Sequence, residues 1–281
     1  MYGSMISTKR LIKTFLSKPF DFKIAIIILT VFTVAALCAG LYSQNGIDTD
    51  IENILQGPSF QHLFGTDDLG RDYFARALHG ARASLSVGFL SVILSTAIGT
   101  AIGIISGYFG GKTDMIMMRT VDILMSIPSF FLILILNAYL KPGIQNIIVI
   151  IGLFNWMGIA RLIRAETLSV KERDYVIYAQ MIGVADKKIM AVHILKNILE
   201  TITVAASINV ARAILTESTL SFLGLGVRPP YSSWGSMLKD AQAYLREAPY
   251  LAFIPGVLIL LTVLAFNLIG DTIRDKRDTV K

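Results

Sequence analysis

Residues able to do covalent or metal chemistry are few and scattered in this 281-residue chain. His62, His79 and His193 lie far apart, and there is no HExxH, GxSxG or paired-cysteine pattern, so neither a metal hydrolase nor a serine nucleophile is expected. Gly111-Lys112-Thr113 has the ending of a phosphate-binding loop, but Ser106 stands where its first glycine belongs and no buried strand precedes it. A tight turn is the expectation there. Met115, Met117, Met118 and Met125 are soft ligands by type, yet inside an apolar helix they are expected to act as adaptable packing. Cys38 is the lone cysteine and has no partner for an internal disulfide. Leu37 before it is too large for a lipoprotein leader, and the apolar block around it is longer than a signal core, so it reads as a membrane helix. No catalytic residue, metal site or cofactor is assigned to the chain.

What remains is charge set inside apolar segments, and one polar stretch between two of them. Arg119 and Asp122 stand three apart and are expected to pair near the inner end of their helix, with Pro128 beyond them kinking it. Arg212 and Glu217 lie in a later apolar segment. A carboxylate such as Glu217 is costly there unless it meets a partner or water, so it is expected to find an internal hydroxyl or arginine, or else the amino group of a transported solute. Arg119, Asp122, Pro128 and Glu217 are the candidate pore or gating residues. The polar stretch runs from Glu172 to Asn197. Asp174 is a helix N-cap candidate, Gly183 a break and Asp186 a second N-cap, which predicts two short helices joined by a bend. Ala179 and Gly183 are small enough for a partner to approach the backbone. Read by spacing alone, the stretch is equally an amphipathic connector on an anionic leaflet.

The elements that position these residues follow from composition. With 54% hydrophobic and 16% charged residues, the chain has too much apolar surface for one soluble core. The apolar blocks predict six transmembrane helices, at 24–43, 84–108, 115–140, 145–165, 200–223 and 250–272, each able to cross about 30 Å of hydrocarbon. An all-α membrane protein is expected, organised as a 1–23 basic N-terminal segment, a first helix at 24–43, an outer loop at 44–83, a main membrane domain at 84–275 containing the 172–197 stretch, and a 276–281 tail. Lys and Arg concentrate on the side holding Lys9, Arg10, Lys187, Lys188 and Lys196, which predicts both termini to be cytoplasmic. The net charge of +6 follows from this topology and calls for no nucleic acid. In the outer loop, Leu69, Tyr73, Phe74, Ala77, Leu78 and Ala81 share one face, predicting a surface helix capped by Thr66, Asp67 and Asp68. Gly99 and Gly103 form a GxxxG pair suited to close helix contact in lipid. Trp234 suits the headgroup level.

Several of these stretches carry a resemblance. Tyr178-Ala179-x3-Gly183 followed by His193-Ile194-Leu195 is similar to the coupling loop of ABC importer permeases, the EAA loop. His62-Leu-Phe-Gly-Thr-Asp-Asp-Leu-Gly-Arg-Asp72, the run from Leu215 to Pro230 and Phe266-Asn-Leu-Ile-Gly-Asp271 resemble the dipeptide, oligopeptide and nickel branch of that family, in its second permease subunit. The resemblance covers most of residues 61–275. It implies the type I importer permease fold in a bacterial or archaeal cytoplasmic membrane, a second homologous permease completing the pore, an extracytoplasmic solute-binding protein, and two cytoplasmic ATPases that hold ATP and Mg. The chain itself would be non-catalytic. It further implies Asp174, Ala179, Gly183, Ala185, Asp186 and His193 as ATPase-coupling residues, with di- or oligopeptides as cargo and nickel or a metal chelate as the alternative. The chain departs from the family at Ile177-Tyr178 and at Lys196, where a proline is usual; without that breaker the second coupling helix would run on toward the next span.

Two rival classes fare worse on the same residues. An ion-driven secondary transporter would show internal repeats and clustered intramembrane charges, and neither is apparent. A membrane enzyme would need one of the catalytic patterns excluded above.

Overall fold

The computed structural model describes residues 19–42, 46–140 and 143–279, with the side chains of 276–279 excepted. The basic N-terminal segment as far as Lys18, Lys141 and the last two residues of the tail fall outside that range.

The described chain is helical. α1 spans Phe20–Cys38, α2 Tyr73–Phe109, α3 Gly111–Met125, α4 Ser129–Tyr139, α5 Ile144–Lys171, α6 Asp174–Met181, α7 Asp186–Phe222, α8 Trp234–Ala241 and α9 Tyr250–Thr279. Five of these are long and apolar enough to cross a membrane, and α3 with α4, a pair bent by 72°, brings the number to six if the two are taken as one span. The bend falls where Pro128 lacks an amide hydrogen and its ring blocks continuation, so α3 stops at Met125 and α4 restarts at Ser129. The kinked third span is thus a broken one.

One boundary and one cap differ from expectation here. The outer surface helix and the second span are one helix, α2, of 37 residues, about 55 Å long at 1.5 Å per residue. Nothing between Ala81 and Ser84 breaks it, so its first turns rise beyond the hydrocarbon. Its N-cap is Asp72, which accepts from the Ala75 amide at 2.7 Å and from His62 at 2.9 Å. Thr66, Asp67 and Asp68 do not cap it; Asp67 instead pairs with Arg71 at 2.8 Å and Arg76 at 3.1 Å.

α2 is the axis of the bundle. Along one side its small residues sit against α5: a Cβ placed on Gly99 would lie 2.8 Å from the Trp156 carbonyl oxygen, on Gly103 2.7 Å from that of Ala160, and on Gly107 2.9 Å from that of Arg164. The GxxxG pair is therefore a helix–helix contact, as its spacing indicated. On another side Gly88 admits Ile214 of α7, at 2.7 Å from such a Cβ. Trp234 corrects a further expectation. Its side chain is not presented to headgroups but is fully buried at the start of α8, donating its indole N–H to the Ala77 carbonyl at 3.1 Å and meeting Phe32 edge-on at 5.8 Å. With its polar atom satisfied internally, the indole gains by full burial.

The connections gather at two ends. At one, Tyr73 donates to the Leu251 carbonyl at 2.6 Å and Tyr250 to the Gln56 carbonyl at 2.8 Å, tying the 46–72 loop to α2 and α9. The other holds the α2–α3 turn, the end of α5, α6 and the start of α7.

Candidate functional site

The 172–197 stretch folds as two helices around a bend, and the bend is at Gly183, whose φ of +77° a side-chain-bearing residue rarely adopts. The two expected caps are different in detail. Arg173 is the N-cap of α6 and Asp174 its first residue, while Ala185 is the N-cap of α7 and Asp186 its first residue; neither carboxylate caps its own helix. Each still places a negative charge in a first turn, where the helix dipole favours it. α7 shows no break at Lys196. It passes through a π-helical turn, Ile189–Ile194, and runs on into the membrane, because Lys196 keeps the amide hydrogen that a proline would lack.

This joint is clamped to the bundle through Tyr108, a residue the sequence did not single out. Its hydroxyl donates to Asp186 Oδ1 at 2.5 Å, and its carbonyl accepts from Lys171 Nζ at 2.5 Å. One residue at the end of α2 thereby holds both the end of α5 and the start of α7. Beneath it Val176, Ala179, Ile189, Ile194 and Ile198 pack with Ile104, Ile159 and Ile163 in one apolar cluster. Ala179 is thus not a surface notch for a partner; its small side chain lets α6 settle on the π turn of its own chain. His193 is half-buried, with its ring 6.4 Å from that of Tyr175. On the far side Tyr178, Met181 and Ile182 are 64%, 81% and 60% exposed around Gly183. Together they leave an apolar cap exposed on the turn. Next to it, Arg164 donates to both oxygens of Asp114 at 2.5 Å, joining α5 to α3.

The proposed gating residues separate. Asp122 pairs with Arg161 of α5, not with Arg119, which stays exposed on α3. Arg161 of the neighbouring helix reaches the carboxylate, so the pairing within α3 is not made. Pro128 lines a cavity of about 520 Å³ at the α3–α4 break, between α5 and α7, with Arg212 in its wall. Arg119, Asp122 and Glu217 do not line it.

Glu217 is fully buried at the opposite end of the bundle, accepting from Ser221 Oγ at 2.7 Å and Ser84 Oγ at 3.0 Å. Ser84 also accepts from the Trp234 amide at 3.3 Å, and Ser233 reaches Ser221 at 3.1 Å while forming a capping box with Ser236. The carboxylate therefore fastens α2, α7 and α8 together, and a pore role for Glu217 is not compatible with its burial. Replacing Glu217 with valine is expected to destabilise the protein by about 2–4 kcal/mol, because two buried hydroxyls lose their acceptor. Glu217→Gln, which keeps an acceptor oxygen, is expected to melt nearer the wild type in detergent; equal melting of both variants would contradict the network. Nearby, Asp240 of α8 pairs with Arg76 at 3.1 Å. Burial pushes the Asp240 carboxyl above the usual carboxylate range, against the opposing pull of Arg76.

Comparison with known proteins bears on this geometry. Residues 99–277 match the family described as "Binding-protein-dependent transport system inner membrane component". The chain is 40% identical over 256 residues to the dipeptide transport system permease protein DppC of Alkalihalophilus pseudofirmus, covering 91% of this chain and 84% of that one. It is 43% identical over 233 residues to the oligopeptide transport system permease protein OppC of Haemophilus influenzae, covering 82% and 75%. It is 40% identical over 257 residues to the glutathione transport system permease protein GsiD of Escherichia coli, covering 92% and 84%.

Proposed function

Because the chain belongs to the family of binding-protein-dependent transport system inner membrane components, we propose that it is the multi-pass permease subunit of an ATP-driven importer for dipeptides or oligopeptides. The cargo names of the three relatives, dipeptide, oligopeptide and glutathione, are all peptidic and favour peptides over the nickel or metal-chelate alternative. The chain forms half of a pore with a second homologous permease in a bacterial or archaeal cytoplasmic membrane. An extracytoplasmic binding protein delivers solute to the end carrying the 46–72 loop and α8. Two ATPases, which hold the ATP and Mg, sit at the other end, where both termini of this chain are cytoplasmic.

The observation that carries this reading is the joint. The exposed cap of Tyr178, Met181 and Ile182 gives an ATPase an apolar surface to grip, with Gly183 at its apex. Tyr108, Lys171 and Asp186 tie that cap to the ends of α2, α5 and α7. A push on α6 is therefore transmitted to three spans at once, because packed side chains shift as a body rather than deform. Asp174, Ala185, Asp186 and His193 contribute to coupling by shaping the joint, and Ala179 by seating α6 on it.

In proteoliposomes holding the complete importer, uptake of a tripeptide is expected to require ATP and the ATPases, and to stop when either is withheld. Uptake by this chain alone, driven by an ion gradient, would overturn the proposal.

A further inference from the structure

We propose that Arg212 is a carboxylate-binding residue of the translocation path, taking the free carboxylate of a peptide into the cavity at the broken span. The proposal rests on the peptide-importer reading and adds a recognition site inside the permease itself.

Arg212 lies on α7 about 25 Å from Leu195 at 1.5 Å per residue, far from either end of the span. It is exposed, and among the described residues no carboxylate pairs with it. A guanidinium at that depth is costly unless it faces water or an anion. What it faces is the cavity of about 520 Å³ beside the α3–α4 break, a volume within the roughly 300–1,000 Å³ range of small-molecule sites.

The wall of that cavity is biased toward anions. No lining residue is acidic. Pro128 and Ser129 bring the N-terminus of the 11-residue α4 to its edge, adding the positive end of a helix dipole. Asn155 lines it with a buried Nδ2 that lacks a hydrogen-bond partner. Asn209, one turn before Arg212, spends its own Nδ2 on the Ala205 carbonyl at 2.7 Å, which leaves its amide oxygen for an N–H donor. The rest of the wall is apolar, with Met125, Ile127, Phe154 and Ile208. A planar fork of N–H donors beside an unpaired amide donor suits a carboxylate, and the apolar wall suits an organic body attached to it. A free metal cation would be repelled.

The test places a single thiol in the wall. In the assembled importer in liposomes, with Cys38→Ser as background, Ser129→Cys is modified with negatively and positively charged methanethiosulfonates of matched size. Arg212→Gln is expected to lower the ratio of anionic to cationic reaction rates roughly tenfold, since a charge on the wall of a cavity sets the local reagent concentration, and Arg212→Lys to restore most of it. Trialanine is expected to slow modification when Arg212 is present, and its C-terminal amide not to. An unchanged rate ratio in Arg212→Gln, as would follow if the second permease neutralised the arginine, overturns the proposal; so does equal protection by acid and amide, or protection by neither. Loss of ATP-dependent uptake by the unsubstituted complex would instead overturn the importer function itself.

Discussion

Gly103→Leu is expected to leave no folded permease in detergent extracts, and Gly103→Ala a protein that melts well below the wild type. At this position α2 and α5 touch backbone to backbone. A Cβ on Gly103 would stand 2.7 Å from the Ala160 carbonyl oxygen and 2.8 Å from Ile163 Cβ. Neither can swing aside, because the first is backbone and the second is the branch point of a fully buried side chain. Relief requires the two helices to part, and Gly99 and Gly107, at similarly short distances, sit on the same seam. Overpacking costs about 1–3 kcal/mol where neighbours can adjust, and leucine at a rigid seam should exceed that. Gly256 of α9 is the control: a Cβ there meets nothing within 4 Å, so Gly256→Ala should melt like the wild type or slightly above it. Fluorescence-detected size exclusion and thermal melting measure all three; a well-folded Gly103→Leu would mean that α2 and α5 are not in contact in the membrane.

Gly183→Arg is expected to abolish ATP-coupled uptake, by roughly a hundredfold or more, while the protein stays inserted and folded. The two effects separate because a Cβ on Gly183 meets no atom within 4 Å of its own chain. The intramolecular cost is therefore the φ of +77° alone, about 1–2 kcal/mol for a residue with a Cβ. Asparagine tolerates that conformation, so Gly183→Asn should keep most transport and reports on the backbone term. What arginine adds is bulk and charge at the apex of the Tyr178, Met181 and Ile182 cap, where truncating or burying the wrong group at the centre of an interface costs about 2–4 kcal/mol. Co-purification of the ATPases with each variant is the direct readout. Normal uptake by Gly183→Arg would show that the bend does not meet the ATPase.

Much of the architecture was legible in the residues because membrane helices announce themselves by length and apolarity. The broken third span followed from Pro128, the α2–α5 seam from Gly99 and Gly103, and the bend from Gly183, each a local property of one residue type. The same local logic failed where several partners compete for one group. Asp67 was read as a cap and Arg119 as the partner of Asp122, but a carboxylate takes whichever cation the fold brings nearest: Arg71 and Arg76 for Asp67, Arg161 for Asp122. Trp234 went the same way. It was read as a headgroup-level residue, and it is buried because α8 folds back onto α2, where the Ala77 carbonyl takes its indole N–H. Glu217, by contrast, met internal hydroxyls of the kind its sequence reading allowed, those of Ser84 and Ser221.

The sequence by itself determined a multi-pass helical protein of the importer-permease family, with its joint at Glu172 to Asn197 and its helix break at Pro128. Hydrophobic length, a missing amide hydrogen and a missing Cβ act on the chain locally, whatever surrounds them. Only the tertiary structure decided that Tyr108 is the clamp of that joint, that Ala179 faces inward, and that Arg212 rather than Glu217 lines the cavity. Those outcomes depend on which helix stands beside which, and contacts between residues as distant in sequence as Tyr108 and Asp186 leave no periodicity to read.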